Sequence, residues 1–125
     1  MKVKDIMNKA IVVDFDMPLK AAAKIMSQKN IGSLIVIKNK EIAGIITEKD
    51  ITKNASNLDK KISSVMSKNV VTIEEYEDID NAAVLMMKNK VKHLPVTKDE
   101  KLIGIISATD LIEHSEELNE DFLID

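Results

Sequence analysis

The sequence predicts a mixed α/β (α+β) fold made of two similar units related by a pseudo-twofold axis. The first observation is an internal repeat, because residues 31–51 align without a gap with residues 91–111. Identical pairs of this alignment include Gly44/Gly104 and Asp50/Asp110. The second observation is that short β-branched runs alternate with helical patterns in both copies. The third is the length of 125 residues, which suits one module built from two packed copies.

Each copy begins with a predicted helical turn that leads into a strand. The turns are VKDIM at residues 3–7 and ISSVM at residues 62–66. The β-branched runs 10–13 and 70–73 follow as strands. The spacing between the copies then changes from 59 to 60 residues, so a one-residue insertion is expected in the loop after these strands.

A longer helix follows in each copy. Pro18 suits the first helical position, where a backbone N–H is not needed. Apolar residues recur after it at helical spacing, with two adjacent alanines in each copy. The stripes are Leu19, Ala22, Ala23, Ile25 and Met26 in the first copy, and Ile79, Ala82, Ala83, Leu85 and Met86 in the second.

A hairpin and a final helix complete each copy. The strands are predicted at 34–37 and 42–46, and at 94–97 and 102–106, with charged turns between them. The glycine in each returning strand indicates close approach by another backbone or by a ligand. The last helices are expected to start near Thr47 and Ser107. The acidic tail after Ile112 either extends the last helix, so that Leu118, Phe122 and Leu123 could dock on a partner, or frays.

Composition excludes several classes of function. The net charge is −3 and every basic residue other than the two histidines is lysine, which disfavours a nucleic-acid partner. No apolar run approaches the roughly 18 residues of a membrane span, and the first residues do not resemble a signal peptide, so we expect a cytoplasmic protein. Two histidines and no cysteine make a transition-metal site improbable. Because no motif of a nucleophile or phosphate-cradling loop is present, the chain is predicted not to be an enzyme.

One doubled motif could carry chemistry: Thr47 to Asp50 and Ser107 to Asp110. A hydroxyl followed three residues later by an acid is close to a capping box, which would only tie off a helix. A carboxylate at that place can also accept hydrogen bonds from a vicinal diol such as that of ribose. The residues themselves leave both interpretations open.

The ordered set of motifs resembles the CBS domain, named after cystathionine β-synthase. It comprises a turn with V-x-D-x-M, a strand, a helix with paired alanines, a strand such as LPV, and a G-h-h-[ST]-x-x-D-h segment, where h is apolar. The whole chain resembles a tandem CBS pair, or Bateman module, with units at 1–59 and 60–125. The resemblance implies two β-α-β-β-α units packed sheet to sheet. It further implies binding of adenosine-containing ligands in clefts between the units, and a homodimer.

The resemblance also assigns site residues, two of them being aspartates that would hold ribose. Each cleft would combine residues of both units. The first would comprise Ile45, Thr47, Lys49, Asp50, Val71, Val91 and His93; the second would comprise Val12, Ile31, Ser33, Ile105, Ser107, Thr109 and Asp110, with Lys92 nearby. Since the family often meets phosphate with arginine or histidine at the place of His93, the Asp50 cleft is expected to prefer the more phosphorylated ligand. The first copy lacks the LPV proline, having Ile35 instead.

The function expected from the sequence is a stand-alone regulatory sensor of AMP, ADP, ATP or S-adenosylmethionine, with Mg²⁺ possible beside ATP and no cofactor required. It would act through a conformational shift, alone or with a separate effector protein. The alternative is a protein-interaction or dimerisation module with vestigial clefts. Nucleic-acid binding is the least favoured of the three hypotheses.

Overall fold

The computed structural model describes residues 1–114. Each copy contributes a short helix or 3-10 turn, a short strand, a long helix, a hairpin and a final helix. In chain order the elements are α1 (Val3–Ile6), β1 (Val12–Asp14), α2 (Leu19–Lys29), β2 (Ser33–Lys38), β3 (Glu41–Thr47), α3 (Glu48–Lys53), a 3-10 turn (Ile62–Ser64), β4 (Ile73–Glu74), α4 (Ile79–Asn89), β5 (His93–Lys98), β6 (Lys101–Ser107) and α5 (Ala108–Glu113). The mixed α+β fold predicted from the repeat is confirmed.

Residues 10–70 form one compact unit. Its sheet has the order β1-β2-β3, with β1 parallel to β2 and β2 antiparallel to β3. The apolar stripe of α2 covers this sheet, and the side chains of Leu19, Leu34 and Ile46 are fully buried. Ile62 of the 3-10 turn joins the same core, so a segment of the second sequence repeat belongs to this unit.

The other compact unit joins residues 1–9 to residues 71–114. Its sheet, β4-β5-β6, has the same pairing as the first sheet. Val3 of α1 is fully buried in its core with Leu94 and Ile106. The backbone of Val3 donates to the carbonyl of Glu77 at 2.8 Å, which fixes α1 to this unit.

The compact units therefore do not coincide with the repeats 1–59 and 60–125, because the leading segment of each repeat lies on the last hairpin strand of the other repeat. Asn8 exchanges two backbone hydrogen bonds with Ile105, and Ser67 exchanges two with Ile45. Gly44 and Gly104 permit this contact. A Cβ on Gly44 would lie 2.8 Å from the carbonyl oxygen of Ser67, and one on Gly104 would lie 2.9 Å from that of Asn8.

Several predicted boundaries shift. Pro18 is the N-cap of α2 rather than its first helical residue. The strand predicted at residues 70–73 is shorter and later, because only Ile73 and Glu74 pair with β5. The tail residues Leu118, Phe122 and Leu123 lie outside the described part of the chain. No helix within residues 1–114 is long and apolar enough to span a bilayer.

Glu75 is a buried acid whose counterpart in the other unit is an aromatic residue. The backbone N–H of Glu75 donates to the carbonyl of Thr97, and that of Phe15 donates to the carbonyl of Ile37. Glu75 and Phe15 therefore occupy equivalent places in the two units. Lys38 lies 5.0 Å from the centroid of the Phe15 ring. The equivalent lysine, Lys98, approaches Glu75 Oε2 only to 3.9 Å, and that buried oxygen accepts no hydrogen bond within the described chain.

We expect Glu75→Phe to raise the free energy of unfolding by about 1 kcal/mol, because replacing a poorly paired buried charge by an apolar group is often stabilising. Urea unfolding of the variant and of the unchanged protein measures this. Thr72→Phe at a nearby exposed position is the control, with an expected change within about 0.5 kcal/mol. A destabilised Glu75→Phe variant would show that the site needs the carboxylate.

Candidate functional site

The first copy of the doubled motif forms a capping box at the junction of β3 and α3. Thr47 is extended, with φ −124° and ψ 171°, and is the N-cap of α3. Its backbone N–H donates to Asp50 Oδ2 at 2.9 Å, and its hydroxyl lies 3.4 Å from the same oxygen. The carboxylate of Asp50, which is half-buried, therefore stabilises the start of its own helix.

The second copy has the same arrangement with one addition. The backbone N–H of Ser107 donates to Asp110 Oδ2 at 2.8 Å, and the N–H of Asp110 donates to Ser107 Oγ at 3.1 Å. Asn8 Nδ2 donates to the same Asp110 Oδ2 at 2.9 Å. The capping interpretation of the motif is thus correct in both units.

Capping does not use up either carboxylate. All hydrogen bonds to these side chains within residues 1–114 end on Oδ2, so Oδ1 of Asp50 and Oδ1 of Asp110 each keep their acceptor capacity. Both aspartates are half-buried rather than enclosed. Each unit therefore presents an oriented carboxylate that can still accept a hydrogen bond from a hydroxyl.

In the unit of residues 10–70, the strand pairing places one predicted residue, Ser33, beside the Asp50 motif. Ser33 is buried and lies directly opposite Thr47. Ile45 is also buried, opposite Ile35. Lys49 is exposed on α3, Val12 is half exposed on β1, and Ile31 is half-buried before β2.

In the other unit, two potential cations lie beside the Asp110 motif. His93 is directly opposite Ser107 in the β5–β6 pairing, and the carbonyl of Lys92 accepts the backbone N–H of Ala108 at 2.8 Å. The remaining predicted residues of this unit are the partly buried Val71 and Val91 at the core, the half-buried Ile105 and the exposed Thr109.

Each predicted cleft drew residues from both units, and those combinations stay predictions. Within single units the structure groups Ser33 with the Asp50 motif, and it groups Lys92 and His93 with the Asp110 motif. The sequence analysis assigned His93 to the Asp50 cleft. That assignment stays a prediction, and within its own unit His93 lies opposite Ser107.

Sequence reasoning missed Asn8 as a neighbour of the motif. The signal was present, because the 59-residue spacing that pairs Met7 with Met66 also pairs Asn8 with Ser67. What the sequence could not show is that this segment lies against the hairpin strand that ends at the motif. The exposed ring of Tyr76 has a lysine partner, since Lys4 Nζ lies 4.7 Å from its centroid.

Metal-ligand clusters and surface grooves are the other features that could form a site. No group of three or more potential metal ligands occurs within residues 1–114. An open groove of about 420 Å³ lies along α2 and α3. Its lining includes Ile31 and Glu48 but neither Thr47 nor Asp50, so it adjoins the capping motif without including the two residues that form the cap.

The comparisons with known proteins agree with this architecture. The family model described as the CBS domain matches residues 3–57 and 62–117. A 17.7 kDa protein of Acidianus ambivalens is 40% identical over 107 residues, which are 82% of this chain and 65% of that protein. The crystal structure of the CBS domain pair of protein MJ0100, in complex with 5′-methylthioadenosine and S-adenosyl-L-methionine, is 33% identical. It has a TM-score of 0.85 and covers 90% of this chain and 94% of that one.

A hexameric CBS-CP12 protein from bloom-forming cyanobacteria also shares the fold, with 25% identity and a TM-score of 0.87 over 95% of this chain and 74% of that one. Among relatives named as enzymes, the L-aspartate semialdehyde sulfurtransferase of Methanocaldococcus jannaschii is 36% identical, but the match spans 22% of its length. The chain thus spans less than two thirds of the length of the first curated relatives that it matches. The matched family model and the repeated architecture together show that this chain belongs to the CBS-domain family and carries two CBS domains.

Proposed function

We propose that the chain is a regulatory, non-enzymatic module that binds adenosine-containing ligands through the carboxylates of Asp50 and Asp110. The observation that carries the proposal is that each carboxylate is held by its own backbone through Oδ2 while Oδ1 keeps its acceptor capacity. A vicinal diol such as that of ribose supplies the matching donors. The MJ0100 pair, which contains 5′-methylthioadenosine and S-adenosyl-L-methionine, supports the choice of ligand class.

Within this class, we propose 5′-methylthioadenosine and S-adenosylmethionine first, with AMP, ADP and ATP as further candidates and Mg²⁺ beside ATP. The backbone of Lys92 adjoins the start of α5, so we propose its ammonium group as the cation that meets a phosphate near Asp110. The preference of the Asp50 cleft for the more phosphorylated ligand, expected from the sequence, stays a prediction beside it.

Regulation would follow from a shift between conformations that bind the ligand unequally. A ligand can shift such an equilibrium only by its difference in affinity for the two states. The proposal therefore requires a measurable binding free energy, and it needs no covalent chemistry. The effector that reads the shift, and a cytoplasmic location, are parts of this proposal.

The test is thermal unfolding of ligand-free protein with a panel of compounds. At a ligand concentration of 100 times Kd, binding adds about 2.7 kcal/mol to stability, and the Tm should rise by roughly 5–10 °C. S-adenosylmethionine, 5′-methylthioadenosine, AMP and ATP form the panel, with GTP as the control. Unchanged unfolding with every adenosine-containing compound would refute the proposal.

A second candidate function, assembly with another copy or with a partner protein, is favoured by one asymmetric surface. Val84 and Met87 of α4 and Ile112 of α5 are large, exposed apolar side chains. The equivalent positions in the other unit are Lys24, Ser27 and Thr52, which are polar. We propose a homodimer through this α4/α5 face, because an apolar patch that one unit presents and the equivalent positions of the other do not suits a self-complementary contact. The molecular mass of the protein in solution tests the homodimer, because a dimer has twice the mass of the monomer.

A further inference from the structure

We propose that Asn8 makes the two carboxylates unequal, so that Asp50 accepts both hydroxyls of a ribose diol while Asp110 accepts only one. The inference rests on the proposed function and refines it. It predicts which ligands each aspartate distinguishes, and it arises from a hydrogen bond that one unit has and the other lacks.

The backbone of Asn8 is fixed in place. The N–H of Asn8 donates to the carbonyl of Ile105 at 2.8 Å, and the N–H of Ile105 donates to the carbonyl of Asn8 at 2.9 Å. Ile105 is two residues before Ser107 on the same strand, so the side chain of Asn8 reaches the end of that strand. There its Nδ2 donates to Asp110 Oδ2 at 2.9 Å.

Counting lone pairs shows what this bond changes. A carboxylate oxygen accepts about two hydrogen bonds. Asp110 Oδ2 already accepts two short ones, from the backbone of Ser107 and from Asn8. Only Oδ1 retains capacity for a ligand, and one oxygen can take one of the two diol hydroxyls in good geometry. Asp110 is thereby oriented more firmly and restricted to a single contact.

The other unit keeps its capacity on both oxygens. Ser67 stands at the place of Asn8, with its N–H and carbonyl each 3.0 Å from their partners on Ile45. Within the described chain its shorter side chain makes no hydrogen bond to Asp50. Asp50 Oδ2 accepts one short bond, from the Thr47 backbone at 2.9 Å, and a long one of 3.4 Å from a hydroxyl that can rotate away. Both oxygens of Asp50 can therefore bind a diol.

The difference predicts distinct responses to the removal of each ribose hydroxyl. At Asp50, 2′-deoxyadenosine and 3′-deoxyadenosine should both bind more weakly than adenosine. The loss should be roughly tenfold for each analogue, which is the usual size for one hydrogen bond to a charged group. At Asp110 only one of the two analogues should lose affinity, and the other should bind within about threefold of adenosine.

Calorimetric titration with adenosine and the two deoxyadenosines tests this in the full chain. Asp110→Ala isolates the Asp50 carboxylate, and Asp50→Ala isolates the Asp110 carboxylate. The reciprocal substitutions Asn8→Ser and Ser67→Asn are matched controls, because each gives one unit the residue that the other unit has at the equivalent position. In the Asp50→Ala background, Asn8→Ser should make both deoxyadenosines weak; in the Asp110→Ala background, Ser67→Asn should restore tolerance of one of them.

The outcomes separate the two proposals. Absence of saturable binding of adenosine, 5′-methylthioadenosine, S-adenosylmethionine, AMP and ATP alike would refute the proposed function itself. Binding of adenosine with the same pattern of deoxyadenosine affinities at both aspartates, unchanged by the reciprocal substitutions, would leave that function standing and overturn the role of Asn8. Variants that lose adenosine binding altogether through exchange of residue 8 or 67 would also overturn it, because the inference requires only selectivity to change.

Discussion

Replacing Gly44 by alanine should lower the free energy of unfolding by about 2–3 kcal/mol, and Gly104→Ala should have a similar effect. The added Cβ on Gly44 would lie 2.6 Å from Met66 Sδ and 2.8 Å from the carbonyl oxygen of Ser67. The first contact can relax by a change of rotamer. The second cannot, because Ser67 is held to the hairpin strand by two backbone hydrogen bonds.

Chemical denaturation measures this effect, and Met66→Ala separates its two sources. In a double-mutant cycle, Met66→Ala should reduce the free energy of unfolding that Gly44→Ala costs, because the contact with Met66 Sδ is removed. The rest of the cost should persist, because the Cβ still meets the Ser67 carbonyl. Unfolding of Gly44→Ala at an unchanged denaturant concentration would show that the 62–67 segment is not held against this strand as described.

The second large effect concerns ligand affinity. Asp50→Ala combined with Asp110→Ala should weaken binding of S-adenosylmethionine and 5′-methylthioadenosine at each site by roughly 10- to 100-fold, because each substitution removes from its own site a charge-assisted acceptor of about 1.5–3 kcal/mol. The same substitutions remove two helix caps, each of which contributes about 1 kcal/mol to stability. Affinity and stability must therefore be measured together.

Asp5 offers a matched control for the loss of a cap. Its Oδ2 accepts the backbone N–H of Lys2 at 2.9 Å in a capping box at the start of α1, as the candidate aspartates do in their own helices. Asp5→Ala should lower stability by about 1 kcal/mol while ligand affinity remains unchanged. Equal losses of affinity in Asp5→Ala and in the double variant would attribute the effect to stability alone.

Much of the fold follows from local sequence patterns. The apolar stripes predict α2 and α4, and the repeated hairpin predicts the strand pairs, because each pattern reflects burial of one face. The hydroxyl and acid of Thr47 and Asp50 predict a cap because capping is a contact over three residues. Both interpretations of that motif were available from the residues, and the structure shows that one carboxylate can cap with Oδ2 while Oδ1 keeps its acceptor capacity.

The features that the sequence did not predict depend on contacts between distant segments. Residues 1–9 lie with the second repeat because α1 packs into its core and because Gly104 leaves room for the backbone of Asn8. Neither α1 nor Gly104 indicates this placement by itself. The bond from Asn8 to Asp110 joins residues 102 positions apart. From the sequence Glu75 is expected to be a surface acid. Only its backbone hydrogen bond to Thr97 shows that it lies where the other unit has Phe15.

The central claim is that each carboxylate holds a ribose while it caps its own helix, and a structure of the protein with bound 5′-methylthioadenosine tests it most directly. The account predicts ribose hydroxyl oxygens about 2.5–2.8 Å from the carboxylates of Asp50 and Asp110, with the bonds from Thr47 and Ser107 to Oδ2 retained. A ligand bound elsewhere, with both aspartates contacting only their own helices and solvent, would contradict the account.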